Sequence, residues 1–345
     1  MKRLISLLSL LSLLGLVAMG AYAWSFWQGM HKPLGLPAEG LTYTLKPGTS
    51  LRALSADLAQ KEIIDNPWYL EVWARWVEPG GEIRAGEYRF DSRLDIPGLL
   101  AVIRSGRSLQ HRFTVVEGSS VQDFLAQLEN LGAKGLINTT IRPENFRQVF
   151  TELTQQPDPE GWIFPDTYHF SRGDTDRDLI TRAYLRMKKT LEQDWSKRDK
   201  SLPLKTPYEA LILASIVEKE TGAAEERPKI AGVFIERLNK KMRLQTDPTV
   251  IYGMGNKYKG NISKADLKKD TPYNTYTRSG LPPTPIALPG GDAIHAVMHP
   301  ENTGALYFVA KGGGRHYFSR TYKEHKRAVV KYLLGGHAKR YKGDQ

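Results

Sequence analysis

The sequence predicts an α+β protein in three parts: an N-terminal transmembrane helix, a small α+β domain and a larger α+β domain. Three observations carry this. An uncharged, Leu-rich run from Leu4 to Met30 is long enough to cross a bilayer. Short alternating runs such as Leu41–Leu45, Gly86–Phe90 and His316–Ser319 alternate with amphipathic helical patterns instead of forming one continuous sheet. Finally, Ala210–Val217 carries no charge on any face, the mark of a helix enclosed by its own domain.

Lys2-Arg3 precede the apolar run, and Trp24, Phe26 and Trp27 stand where an outer aromatic belt belongs. Ala21-Tyr22-Ala23 resembles a signal-peptide cleavage site, but the run is longer than a signal core. An uncleaved single-pass anchor is therefore expected, with the N-terminus cytoplasmic and the bulk outside. The chain carries 49 Lys and Arg against 37 Asp and Glu, a net charge of +12, and nine of those bases against two acids lie between Arg315 and Gln345. Such charge suits an anionic partner. With the bulk outside the cell membrane, that partner is a cell-envelope polymer and not nucleic acid. The absence of cysteine excludes disulfides, thiolate metal sites and a Cys nucleophile.

After the anchor (residues 1–30), His31–Gly40 is a Pro/Gly linker. Leu41–Ser50 is a strand and turn. A helix with Leu51, Leu54, Leu58 and Ile63 inside follows, and Asn66-Pro67 opens a second through Trp76. Gly86–Phe90 is a strand and Ile96–Ile103 a short helix. Tyr43–Ser50 and Phe113–Ser120 repeat one pattern: alternating strand, Gly turn, Ser/Thr cap, amphipathic helix. Strand, turn and two short helices resemble a LysM module, a fold associated with N-acetylglucosamine polymers, although the Trp-rich second helix is not its usual form. The breaker cluster Gln155–Glu160 places a boundary between a LysM-like and linking region, 31–155, and a second domain, 156–345.

In that domain Gly161–Tyr168 reads as an aromatic loop and Asp176–Arg198 as a long amphipathic helix. Pro207–Gly222 follows as the central helix. Glu218 appears one turn before its stop. At 100° per residue it stacks on Leu211, Ala214 and Ser215, whereas Glu220 projects roughly the opposite way. A carboxyl at the end of a core helix loses water, which raises its pKa and suits it to proton donation. Glu225 and Glu226 read as end charges of the next helix, which has Pro228 in its first turn.

Three polar, Pro-stiffened segments come next: Leu244–Tyr252, Thr271–Thr277 and Gly280–Ile286. Their Gln, Thr, Asn, Asp and Tyr side chains suit sugars, amides and hydroxyls matching hydroxyl groups and aromatic faces matching pyranose rings. Asp292, His295 and His299 share a helical face, but no zinc-protease Glu accompanies them, so no metal is expected; nor is a cofactor. Gly312–Gly314 is the turn of a hairpin, not a nucleotide loop.

Glu218 within Ala214–Thr221, Leu244–Thr249, Pro272–Tyr276 and Gly280–Pro283 together resemble the YceG-like family. Thr284 stands where that family usually has Gly. The resemblance implies a membrane-anchored lytic transglycosylase of the inner membrane, with a periplasmic domain that cuts nascent peptidoglycan strands internally. It also implies links to peptidoglycan synthases. Glu218 is then the catalytic acid. Gln245, Thr246, Asp247, Tyr252, Tyr273, Asn274, Thr275 and Tyr276 are the expected substrate-binding residues. Two other readings stay open: a hydrolytic muramidase with Asp247 or Asp166 as second carboxylate, and a non-catalytic glycan-binding scaffold.

Overall fold

The computed structural model describes residues 2–337, with side chains from residue 8 onward; the Lys2-Arg3 side chains and the end of the basic tail lie outside the described residues. Among the described residues, helices and three two-stranded sheets are found, in keeping with the mixed α and β character expected. By packing it forms two compact units. One comprises residues 1–111, 135–137 and 169–174; the other comprises 112–134, 138–168 and 175–345. The 155/156 boundary drawn from the breaker cluster is a different division, based on sequence alone.

In the first unit, α1 (Lys2–Met30) includes an apolar stretch, Leu8–Met30, that fits a single-pass membrane anchor. Then come β1 (Leu41–Leu45), α2 (Leu51–Gln60), α3 (Pro67–Val72), β2 (Gly86–Phe90) and α4 (Ile96–Ser105). Strands β1 and β2 pair antiparallel, Leu41 opposite Phe90 and Leu45 opposite Gly86. Ser50 caps α2 through the Ala53 N–H and Asn66 caps α3 through the Trp68 N–H, as their residue types suggest. Helix α3 widens into one π-turn, Trp73–Val77, in which the Glu78 N–H reaches the Trp73 carbonyl at 2.9 Å. Leu54, Leu58, Leu70, Tyr88, Phe90 and Leu99 are fully buried in the core.

The next elements are β3 (Gln110–Thr114), α5 (Val121–Ala133), α6 (Phe146–Thr154), β4 (Thr167–Ser171) and α7 (Asp176–Lys197). The turn echo is real in geometry. Gly48 and Gly118 both take positive φ, and Ser120 forms a capping box with Asp123 at the start of α5. Strand β4, the partner of β3, runs out of the segment read as an aromatic loop; Gly161 and Pro165 before it hid the alternation that begins at Thr167.

Helix α8 (Pro207–Glu220) is the centre of the second unit. Thr206 caps it, Pro207 fills its first turn, and Ala210 through Val217 are all buried. Packed against it are α7, α9 (Arg227–Asn239), α10 (Asp247–Met254) and α12 (Gly291–Met298). The Pro-stiffened segment at 247–252 lies in helix α10, with Pro248 in the first turn, where a missing N–H is harmless. Short α11 (Lys264–Lys268), the antiparallel hairpin β5 (Tyr307–Gly312) and β6 (Arg315–Ser319), and α13 (Tyr322–Tyr332) complete the unit.

Candidate active site

Rotation along α8 separates its two terminal acids, as the helical pitch requires. Glu218 is nearly enclosed, its side chain 5% exposed. Oε1 accepts from Arg227 Nη2 at 3.2 Å and Oε2 from the Gly290 N–H at 3.0 Å. Arg227, itself 9% exposed, also approaches Asp292 at 3.4 Å and Glu117 at 3.6 Å. One guanidinium thus serves three carboxyl groups, and its buried Nε–H has no hydrogen-bond partner among the described residues.

Backbone pairing brings these groups together. The Gly118 N–H donates to the Leu288 carbonyl, and the Leu288 N–H to the Ser119 carbonyl, both at 2.8 Å. The turn after β3 is thereby laced to the segment leading into α12, with Lys219 Nζ adding a bond to the Gly118 carbonyl at 3.0 Å. A Cβ at Gly290 would sit 2.0 Å from Glu117 Oε1, so any side chain there would displace the Glu117 carboxyl. Burial, followed by repulsion from Glu218, raises the Glu117 carboxyl above its ordinary pKa despite Arg227.

On the other face of α8, Glu220 accepts a hydrogen bond from the Thr246 hydroxyl, and burial raises its pKa. It lines a cavity of about 340 Å³ with Arg237, Gln245, Asp247, Tyr276 and Tyr307. Tyr276 donates to Asp247 Oδ1 at 2.6 Å, and Arg237 to Gln245 Oε1 at 3.2 Å. Gln245 holds a φ of +52°, sparsely populated backbone for a residue other than Gly or Asn. Thr275 underpins this geometry: its carbonyl accepts from the Gln245 N–H, and its hydroxyl accepts from the Thr246 N–H at 3.0 Å.

The remaining expected residues lie elsewhere. Asn274 is buried within its own loop, donating to the carbonyls of Asp266, Leu267 and Lys269 and accepting from the Tyr276 N–H at 2.9 Å. Its amide is occupied in shaping the loop. Tyr252 and Tyr273 pack edge to face at 4.9 Å. Tyr252 donates to Glu160 Oε2 at 3.1 Å, and Tyr273 pairs with the Thr284 hydroxyl at 2.8 Å. Burial pushes the Glu160 carboxyl up to about 7.

The structure therefore gathers Gln245, Thr246, Asp247 and Tyr276 around Glu220 and surrounds Glu218 with a set the sequence reading missed: Glu117, Arg227, Asp292 and the Gly290 amide. Asp166 belongs to neither group; it accepts from the Thr167 N–H and faces Arg186 at 3.8 Å. Asp292 turns to Arg227, while His295 stands 3.7 Å from Asp194. Glu226 stands at the N-cap of α9, the helix-end position expected of it, and its carboxylate accepts from the backbone and ring of His316 on β6. The usable signal for the missed residues was the acid in the Val116-Glu117-Gly118 turn of the strand–turn–helix echo.

Chemically, the two faces differ. Around Glu218 a buried carboxyl is held by one cation and one amide beside two further acids. Around Glu220 a polar, aromatic cavity carries tyrosine hydroxyls, the Gln245 amide and two carboxyl groups, a lining suited to a polar ligand.

Comparison with known proteins places this geometry. The model of the YceG-like family matches residues 43–331. An endolytic murein transglycosylase of Bacillus subtilis (strain 168) is 32% identical over 302 residues, covering 83% of each chain. A protein of the same name from Streptococcus pneumoniae serotype 2 (strain D39) is 38% identical over 181 residues, which span 50% of this chain and 32% of that one. The 2.6 Å crystal structure of a putative YceG-like protein from Listeria monocytogenes aligns with a TM-score of 0.53 at 27% identity, covering 85% of this chain and 100% of the other.

Proposed function

The chain belongs to the YceG-like family, and from that premise we propose that it is a membrane-anchored endolytic lytic transglycosylase of peptidoglycan. The observation that carries the mechanism is the enclosed Glu218 at the end of α8, with Arg227 and the Gly290 N–H on its two oxygens. Glu218 protonates the oxygen of the bond between N-acetylmuramic acid and the following N-acetylglucosamine. As the C1–O bond breaks, the same carboxylate takes the proton of that muramic sugar's C6 hydroxyl. The C6 oxygen closes on C1 as a 1,6-anhydro ring. One proton is given and one taken back, so no water is consumed and no second carboxylate is needed to activate it.

Arg227 and the Gly290 amide hold the carboxylate in place between the two transfers. Because Glu117 and Asp292 share Arg227, its charge is not committed to Glu218 alone. The cavity beside Glu220 supplies the glycan contacts, with Gln245, Asp247 and Tyr276 facing sugar hydroxyls. Asn274 and Thr275 act through the loop they brace, and Tyr252 and Tyr273 as an aromatic wall beside Glu160. The β1–α2–α3–β2 region is a LysM-like glycan contact. We place the anchor in the inner membrane, with the bulk periplasmic and near peptidoglycan synthases.

The test is mass spectrometry of uncrosslinked glycan strands incubated with the full chain in detergent, beside Glu218→Gln. Products ending in an anhydro sugar, absent with the variant, are expected. Reducing-end products would replace the lytic mechanism with hydrolysis. Intact strands with a folded wild-type chain would leave only the scaffold.

A further inference from the structure

Helix α3 and its π-turn bury one face and leave the other bare. Leu70, Trp73 and Ala74 are in the core, whereas Trp68 is 63% exposed, Trp76 80% and Val77 42%. In an unbroken α-helix positions 68 and 76 would lie about 80° apart. The wider turn at 73–77 rotates less per residue, which brings the two rings toward one face. Large apolar side chains exposed together mark an interaction surface.

What covers that surface is indicated by where it sits. The last turns of α1 pack against α3. Phe26 meets Tyr69 edge to face at 5.0 Å, Trp27 lies 5.6 Å from Trp73, and Gly29 leaves room only for the Tyr69 hydroxyl. The uncharged run Leu4–Met30 has 27 residues and so is about 40 Å long as a helix, about 10 Å more than the ~30 Å hydrocarbon core. Its last turn, and α3 with it, therefore falls at the headgroup level, where Trp is favoured. Between the two helices runs an apolar groove of about 650 Å³ lined by Tyr22, Phe26, Trp27, Met30, Trp68 and Val72. The acids beside this face are paired: Asp65 with Lys32 at 2.8 Å, Glu71 with Arg75 at 3.2 Å and Glu78 with Arg104 at 3.7 Å.

We propose that the Trp68–Trp76 face lies in the interface of the bilayer that α1 crosses, with phospholipid of that leaflet filling the α1–α3 groove. The first unit is thus held to the membrane by a surface as well as by its anchor. The inference rests on the reading of α1 as a membrane span.

The chain contains no cysteine, so a single introduced thiol is a unique label site. The full chain, spin-labelled at Trp68→Cys, Trp76→Cys or the exposed reference Glu129→Cys, is reconstituted in phosphatidylethanolamine–phosphatidylglycerol vesicles and floated. At 68 and 76, collision with oxygen is expected to exceed collision with a water-soluble nickel complex, and the order to reverse at 129. A second reading uses the native tryptophans: quenching by lipids brominated on the acyl chain should fall in Trp68→Ser/Trp76→Ser. A chain that floats while 68 and 76 collide with nickel as freely as 129 overturns the proposal. Labels shielded from both reagents also overturn it, since a protein then covers the face. Failure to float removes the anchor reading and this proposal together.

Discussion

Arg227→Met is the perturbation that most directly tests whether the Glu218 cluster is held by charge. Both side chains are nearly enclosed, 9% exposed for Arg227 and 5% for Glu218. Removing one partner of a buried ion pair strands the other, which costs about 3–5 kcal/mol. For a unit of this size each kcal/mol moves the melting temperature by about 2–4 °C, so the expected drop is on the order of 10 °C. Glu218→Gln should be milder, about 1 kcal/mol, because the amide oxygen still accepts from Arg227 or the Gly290 N–H. Arg227, which lies 3.4 Å from Asp292 and 3.6 Å from Glu117 in the native chain, should keep both partners in that variant. The double variant removes the stranded carboxylate, and it should melt above Arg227→Met alone, a coupling of about 2 kcal/mol. Far-ultraviolet circular dichroism of the full chain in detergent, near neutral pH, measures all three. Wild-type melting of Arg227→Met, or a double variant no more stable than Arg227→Met, would refute charge pairing as what holds the site.

Two further outcomes follow from the other acids. Glu160 has its carboxyl raised by burial from 4.5 to about 7. Between those values the folded chain keeps a proton that the unfolded chain has released, so stability falls as pH rises through the window and levels off above it. The loss is about 3 kcal/mol, and Glu160→Gln should flatten it when melting temperature is plotted against pH. Glu220→Gln should raise KM for glycan strands while anhydro products persist; their loss, with product formation retained in Glu218→Gln, would move the acid to the opposite face of α8.

Local rules made most elements legible. Ser50, Asn66, Ser120 and Thr206 are caps in the structure because their short polar side chains sit just before apolar periodicity, a relation written in the chain itself. The burial of Ala210–Val217 was equally plain, since no polar face existed to meet water. Proline is the ambiguous signal, because it stiffens a loop and opens a helix equally well; Pro248 opens α10. The site was legible only where neighbours in sequence are neighbours in space. Gln245, Thr246 and Asp247 fall together for that reason. Glu117, Arg227 and Asp292 come from distant segments joined by the pairing of Gly118, Ser119 and Leu288, and no spacing within one segment could announce them.

The central helix explains why two acids separated by one residue end up in different chemistry. The last turn of this helix gives solvent only the face of exposed Lys219, so Glu218 and Glu220 on either side of it enter gaps between neighbouring elements. Glu218 and Glu220 point about 200° apart, and so enter opposite gaps. The gap at Glu218 is closed by α9 and the laced turns at 117–119 and 288–290, which bring a cation and an amide. The gap at Glu220 is bounded by the 244–247 and 275–276 segments, which bring hydroxyls and aromatic rings. One buried helix end thereby holds the proposed proton donor on one face and, on the other, the Glu220 cavity, whose Gln245 and Asp247 reach the exposed surface. Rigidity of this kind is what a single carboxyl needs if it is to donate a proton at one oxygen and recover it from another within one encounter.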